Sequence, residues 1–163
     1  MRRLTLRVLA LALAISVLFV AVWAAQDKEE VEATWTVEGC WIDLTVVPPA
    51  VDLGSSINGE DLERLSANDV AVESNCKWIV EIREDDGKII YKGDYPDPNK
   101  PVSDFKWRMN GTAEYKDLSA SDQQVTEGGP GSYKFSMDYM VDIRLTDPPG
   151  KYAAQLIYTG TTP

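Results

Sequence analysis

Residues 133–145, YKFSMDYMVDIRL, decide the fold class of this chain. Apolar and polar side chains alternate along the stretch with period two, and only Met140 interrupts the polar set. The apolar set comprises Tyr133, Phe135, Met137, Tyr139, Val141, Ile143 and Leu145. Such alternation predicts a long, half-buried β-strand with Asp138 and Asp142 on its polar face.

A proline and glycine break, DPPG at residues 147–150, follows this strand. The alternation then resumes through Tyr152, Ala154, Leu156 and Tyr158, which predicts a C-terminal hairpin with one apolar face. Earlier alternating runs lie at residues 31–38, 40–46, 70–72, 76–83, 89–91, 105–109 and 112–115. After residue 25, only residues 59–68, through Leu62 and Leu65, are compatible with a short helix. Seven to nine short strands at this spacing predict an all-β fold, an antiparallel β-sandwich.

The first 25 residues have the pattern of a signal peptide. Three arginines precede an apolar run that ends in small residues, which predicts a signal helix cleaved after Ala24 or Ala25. An uncleaved anchor is the alternative, because the apolar run is just long enough to span a bilayer. The remaining chain, residues 26–163, is expected to form one domain that is secreted, on the cell surface or in the periplasm. Its contact with membrane is then limited to the leader before cleavage.

Composition narrows the function classes. Removal of residues 1–25 takes away three arginines and no acidic residue, so the net charge changes from −10 to −13. An acidic surface of this kind disfavours nucleic acid and anionic lipid as partners. The chain contains no histidine, which excludes the common Ser-His-Asp and Cys-His catalytic arrangements. We therefore expect a protein that is not an enzyme and needs no cofactor.

The two cysteines lie in phase with apolar strand positions. Cys40 shares a face with Ile42 and Leu44, and Cys76 shares one with Trp78 and Val80. An even pair in an oxidising compartment is most simply a disulfide. A zinc or redox pair is the alternative, but CxxC spacing and histidine ligands are both missing from the sequence.

Two further features could contact a ligand. Asp94, Asp97 and Asn99 in the proline-rich loop offer oxygen atoms of the kind that Ca²⁺ prefers, although ordinary turn residues have the same composition. Trp41 shares its strand face with polar residues, so it is a possible ligand contact at an edge or under a loop. By contrast, Trp35, Trp78 and Trp107 are in phase with core positions. Asn110-Gly111-Thr112 fits both a glycosylation sequon and a hairpin turn.

The layout of the chain resembles that of secreted Ig-like sandwiches, namely spore-coat U proteins and fimbrial subunits. The resemblance comprises the leader, Cys40, the VDLG segment at residues 51–54, Cys76 and a closing Gly-x-Tyr strand from Gly150. Membership would imply a surface structural or adhesive subunit assembled by strand exchange.

An N-terminal strand suits that kind of assembly, because it can pair with its own sheet or add to a neighbour's open edge. The side chains expected to enter the neighbouring subunit are Val31, Ala33, Trp35 and Val37. The resemblance thus implies self-assembly, or association with other surface proteins, as a pilus-like or coat subunit. The alternative is a monomeric extracellular module that binds glycan or a small ligand through Trp41.

Overall fold

Antiparallel strands make up nearly all the regular structure of the described residues, with one short 3-10 helix at Val102–Asp104. The computed structural model describes Thr34, residues 36–57 and residues 59–163, and residues 38–163 form one compact unit. The strands are β1 (Ile42–Val47), β2 (Leu62–Ser74), β3 (Trp78–Glu84), β4 (Ile90–Lys92), β5 (Phe105–Met109), β6 (Lys116–Asp117), β7 (Gln123–Gly128), β8 (Gly131–Val141), β9 (Lys151–Ala153) and β10 (Leu156–Thr161). The all-β prediction is confirmed. The signal helix predicted for residues 1–25 lies outside the described residues.

The strands form three antiparallel sheets, an arrangement consistent with a β-sandwich. The first has the order β1-β2-β8-β5-β6, the second β10-β3-β7, and β4 and β9 pair separately. A buried hydrophobic core draws on both larger sheets, and its most buried members are Val70, Val72, Val80, Ile82, Trp107, Met137 and Tyr139. Trp78 and Trp107 belong to this core, as their phase predicted.

Strand β8 occupies the centre of the first sheet, between β2 and β5. Its inward residues Met137 and Tyr139 are fully buried, so the predicted phase holds in this part of the strand. The prediction that the strand continues to residue 145 is wrong, because β8 ends at Val141. Beyond that point the Ile143 amide donates to the Asp61 carboxylate, which replaces the ladder, and Leu145 is 98% exposed.

The predicted C-terminal hairpin does not form. Strand β9 pairs with β4 and β10 pairs with β3, so the chain leaves the first sheet after β8. The DPPG segment makes this passage, and a side chain at Gly150 would meet the ring of Tyr91 at 2.3 Å. Glycine at this position therefore permits a close approach rather than a two-strand reversal.

The short helix with which residues 59–68 were compatible does not form, because most of this stretch belongs to a strand. Leu62 begins the long strand β2, whose register against β8 shifts between Arg64 and Asn68. Ser66, inside this β-bulge, has a φ of 49°, and the neighbouring Leu65 is 55% exposed. The bulge breaks the period-two pattern of β2, which explains why the sequence revealed only the part of the strand around Val70 and Val72.

The predicted disulfide joins Cys40 to Cys76, with 5.6 Å between their Cα atoms. It links the residues just before β1 to the turn between β2 and β3. Within the described part of the chain, no helix has the length and apolar character needed to cross a membrane.

Candidate functional site

The N-terminal partner strand can be assessed only at its C-terminal end. Val31, Ala33 and Trp35 lie outside the described residues. Thr36, Val37 and Glu38 are described, lie in no strand, and Val37 is 72% exposed. The chain becomes fixed directly after them, because Asn75 donates to the Gly39 carbonyl and Cys40 is covalently bound.

Strand β1 forms one edge of the first sheet. It pairs with β2 from Ile42 to Val47, and on its other side the described residues provide no strand partner. The inner face of β1 lies close to β10 of the second sheet, where a Cβ on Gly160 would come within 2.9 Å of Ile42. An edge strand without a partner among the described residues offers backbone donors and acceptors to an added strand.

Trp41 is half-exposed, as its polar strand face predicted, and its backbone is held rigidly. The Trp41 amide donates to Asn75 Oδ1 at 2.8 Å, and its carbonyl accepts from the Ser74 hydroxyl at 2.7 Å. The indole is therefore presented to solvent from a fixed point beside the edge strand.

The proposed calcium ligands behave as turn residues. Asp97 accepts a hydrogen bond from the Asn99 amide at 2.8 Å, and Asn99 adopts a left-handed φ of 49°. No group of three or more His, Cys, Asp or Glu side chains placed to hold a metal ion occurs within the described residues. This local bond explains the Asp-x-Asn pattern without a metal ion.

A buried group of charges, which we call the Lys100 cluster, joins the loop before β5 to the segment after β8. It consists of Lys100, Asp104, Arg144 and Asp147. The Lys100 ammonium contacts the carboxylates of Asp104 and Asp147 and donates to the Asp142 carbonyl at 2.7 Å. Arg144 binds Asp104 from the more exposed side.

A second group, the Asp138 cluster, lies on the outer face of the first sheet. Asp138 is 1% exposed and accepts hydrogen bonds from the Ser66 amide at 2.8 Å, from Arg108 Nε at 2.9 Å and from the Asn110 amide group at 3.0 Å. Burial alone would raise the pKa of Asp138, but the hydrogen bonds from Asn110, Ser66 and Arg108 outweigh it and hold the pKa below its ordinary value. Asp138 thus fixes the β2 bulge to the neighbouring strands.

Around this cluster, Arg108 also lies over the ring of Tyr115, 4.3 Å from its centroid, and Tyr115 donates to Glu63 at 2.7 Å. Burial and the bond to Glu63 raise the pKa of Tyr115 above its ordinary value. Asn110 belongs to the turn in which the Thr112 amide donates to the Met109 carbonyl at 3.0 Å. The turn interpretation of the Asn-Gly-Thr segment is therefore confirmed.

Glu84, at the end of β3, forms a third buried charged site. One carboxylate oxygen accepts from the amides of Asp86, Gly87 and Lys88, and the other accepts from the Gln155 amide at 3.3 Å. These bonds satisfy the carboxylate and fix the turn after β3 against the start of β10. Glu84 is structural.

A pair of buried tyrosines connects the two larger sheets. The hydroxyls of Tyr139 on β8 and Tyr158 on β10 lie 2.6 Å apart. Burial raises the pKa of Tyr139 to about 12 and also raises the pKa of Tyr158. Each hydroxyl satisfies the other inside the core, so this pair needs no ligand.

Neither a known family model nor a curated protein matches this chain. The sequence singled out Trp41 and the N-terminal segment, but it did not identify the Lys100 or Asp138 clusters. Lys100 lies in the proline-rich loop, and no pattern in the sequence indicated that it is buried. A single lysine in a loop has no periodicity from which burial could be predicted.

Proposed function

We propose that this protein is an exported, non-enzymatic structural or adhesive subunit of a cell surface, built as an Ig-like β-sandwich. In this proposal the subunits associate by strand addition, with residues 31–37 of one copy entering an open sheet edge of the next. The leader directs export and is removed. The expected partners are further copies of the chain or other surface proteins.

The observation that carries this proposal is the edge of β1, which has no strand partner on one side among the described residues, together with the covalent attachment of the chain at Cys40. Val37 is exposed and in no strand, whereas Cys40, three residues later, is bound to Cys76. Because the disulfide fixes the chain at Cys40, the segment before it can add to the sheet edge of a neighbouring subunit while the sheets of its own subunit stay folded. The backbone groups of an edge strand bind such a segment in the same way that they bind a strand of their own sheet.

Sizing by light scattering tests the proposal, with the protein beginning at Gln26. We expect high-mass species that grow with concentration and disappear when residues 26–38 are deleted. Supplying a peptide of residues 26–38 should occupy the edge of the deleted variant in a one-to-one complex. A folded full-length protein that stays monomeric at every concentration would refute assembly by strand addition.

A matched pair of substitutions distinguishes strand addition from non-specific association. Val37→Asp places a charge on the apolar face of the segment, and Thr36→Asp places one on the opposite face. Assembly should be lost in the first variant and retained in the second. Equal effects of the two charges would argue against an inserted amphipathic strand. Mass spectrometry of protein from the host should also find a start at Ala25 or Gln26.

A second candidate function is a monomeric binding module centred on Trp41. The fixed backbone and half-exposed indole of Trp41 favour it, because a preorganised aromatic surface is a common platform for sugar rings. This function predicts a change in tryptophan fluorescence on titration with oligosaccharides, which Trp41→Ala abolishes. A monomer without this response would leave neither proposal standing.

A further inference from the structure

The Lys100 cluster places an amine against two carboxylates in a part of the fold that water scarcely reaches. The side chains of Lys100, Asp104 and Asp147 are 1%, 5% and 7% exposed, respectively. Lys100 Nζ lies 3.2 Å from Asp104 Oδ2 and is in direct contact with Asp147 Oδ2. Lys100 and Asp147 are 47 residues apart in sequence. An amine nucleophile, a carboxyl carbon and a second carboxylate therefore meet in one buried place.

We propose that Lys100 and Asp147 become joined by a side-chain amide bond, with Asp104 as the proton relay. The proposal stands apart from the assembly function, since it concerns a covalent modification within one chain. Its geometric basis is the contact of both reacting groups together with a third group able to transfer a proton between them.

The reaction is a condensation that needs no oxidant and no other reactant. The ammonium of Lys100 transfers one proton by way of Asp104 to Asp147, and the resulting amine attacks Cγ of the now neutral Asp147 carboxyl. A C–N bond forms, a C–O bond of the Asp147 carboxyl breaks, and the departing oxygen leaves as water with two protons from the original ammonium. Asp104 passes on the protons that it receives and ends unchanged.

Two neighbouring groups assist these steps. The Arg144 amide donates to Asp147 Oδ2 at 3.0 Å, and a backbone donor at this position stabilises negative charge as it develops on the attacked carboxyl. The Arg144 side chain donates to Asp104 Oδ1, while Asp104 Oδ2 faces the Lys100 amine. After the bond forms, the remaining N–H of Lys100 can donate to the Asp142 carbonyl, 2.7 Å away.

Burial supplies the driving force. An ion pair in the interior retains a desolvation penalty, whereas an amide carries no charge and leaves one satisfied N–H. The Lys106–Asp142 pair provides an internal comparison, because it has a similar contact of 2.6 Å but side chains 23% and 33% exposed. Water solvates that pair, so we expect it to remain an ordinary salt bridge.

Peptide mapping of the reduced and alkylated protein tests the proposal. Trypsin should release residues 93–106, which contain Lys100, and residues 145–151, which contain Asp147, as one branched peptide lighter than their sum by one water molecule. Fragmentation should place the link between the two side chains. Recovery of the two peptides separately and at full mass would show a salt bridge only and would overturn the proposal.

The same map distinguishes other dehydrations. Loss of water confined to residues 93–106 would mean that Asp104, not Asp147, is the acceptor, and loss at Asp86-Gly87 would indicate a succinimide. Either result without the branched peptide refutes the assignment. Asp104→Asn removes the relay and should abolish the branched peptide in folded protein, whereas Asp142→Asn at the exposed pair should leave it intact. A full yield of the link in folded Asp104→Asn protein would refute the role of Asp104.

Discussion

Replacing Asp138 by asparagine tests whether the Asp138 cluster stabilises the fold through its charge. Asparagine keeps the shape and the oxygen that accepts from Ser66 and Asn110. It replaces the other oxygen by an NH₂ group, which then faces the Nε–H donor of Arg108 across a distance that is now 2.9 Å. The variant therefore loses one charge-assisted hydrogen bond and brings two donors together.

The expected cost follows from the exposure of the partners. A hydrogen bond to a charged group contributes about 1.5–3 kcal/mol, and an unsatisfied buried donor adds to its loss. Because the Arg108 side chain is 21% exposed, water can solvate part of its charge. We therefore expect Asp138→Asn to lower the free energy of unfolding by about 2–3 kcal/mol at pH 7.

The pH dependence of the stability difference between wild type and Asp138→Asn provides an independent test. The folded-state pKa of Asp138 lies below 3.8, the ordinary value of an aspartate, so its ionised form stabilises the fold above that pH. This contribution is lost as the pH falls through 3.8 and then through the folded-state pKa. The difference between wild type and variant should thus be full at neutral pH and shrink in acid.

Urea unfolding followed by tryptophan fluorescence, at neutral pH and near pH 3, measures both quantities. Asp69→Asn is the matched control, because Asp69 pairs with Lys134 at 3.0 Å but its side chain is 45% exposed. The control should cost no more than about 1 kcal/mol. Equal stability of wild type and Asp138→Asn at pH 7, or a difference that does not decrease in acid, would refute the reasoning.

Three further predictions concern packing and the disulfide. Gly128→Ala should lower the melting temperature, because the added Cβ would meet an indole ring at 2.4 Å. Gly129→Ala is the control, because its Cβ would have nothing within 4 Å and so would cause no clash. Equal melting temperatures of the two variants would contradict this prediction. Leu145→Asp should change the free energy of unfolding by less than about 0.5 kcal/mol, since Leu145 is 98% exposed, and a loss of several kcal/mol in urea titration would mean that this side chain is buried. Reduction of the disulfide, which spans 36 residues, should cost about 4 kcal/mol on the chain-entropy model, measured as the shift between unreduced and reduced unfolding curves.

Local periodicity was enough to predict most strands and the faces that they bury. Ile42 and Leu44 on β1, and Trp78 and Val80 on β3, face inward as their alternation indicated. Which strands pair with each other could not be predicted from local periodicity, because strand pairing depends on contacts between residues far apart in sequence. The sequence placed the last two alternating runs together as neighbours in sequence, but β10 pairs with β3 instead.

The buried charges could not be predicted for a related reason. Asp138 lies on the outer face, as its position between Met137 and Tyr139 indicated, but it is buried there because Ser66, 72 residues away, closes over it. Glu84 continues the inward alternation of β3, yet a glutamate in a strand ordinarily faces solvent. Only the backbone amides of the following turn make its burial acceptable.

The central place of β8 has a consequence for synthesis. All the other strands of its sheet, β1, β2, β5 and β6, precede it in the chain, so before residue 131 is made they exist only as two separate pieces. Each piece then exposes the edge that β8 will later cover, and uncovered edges invite pairing between chains. A product that ends prematurely before β8 is therefore expected to aggregate rather than to fold as a smaller domain. The first 130 residues of the chain must therefore be kept from pairing with other chains until β8 has been made.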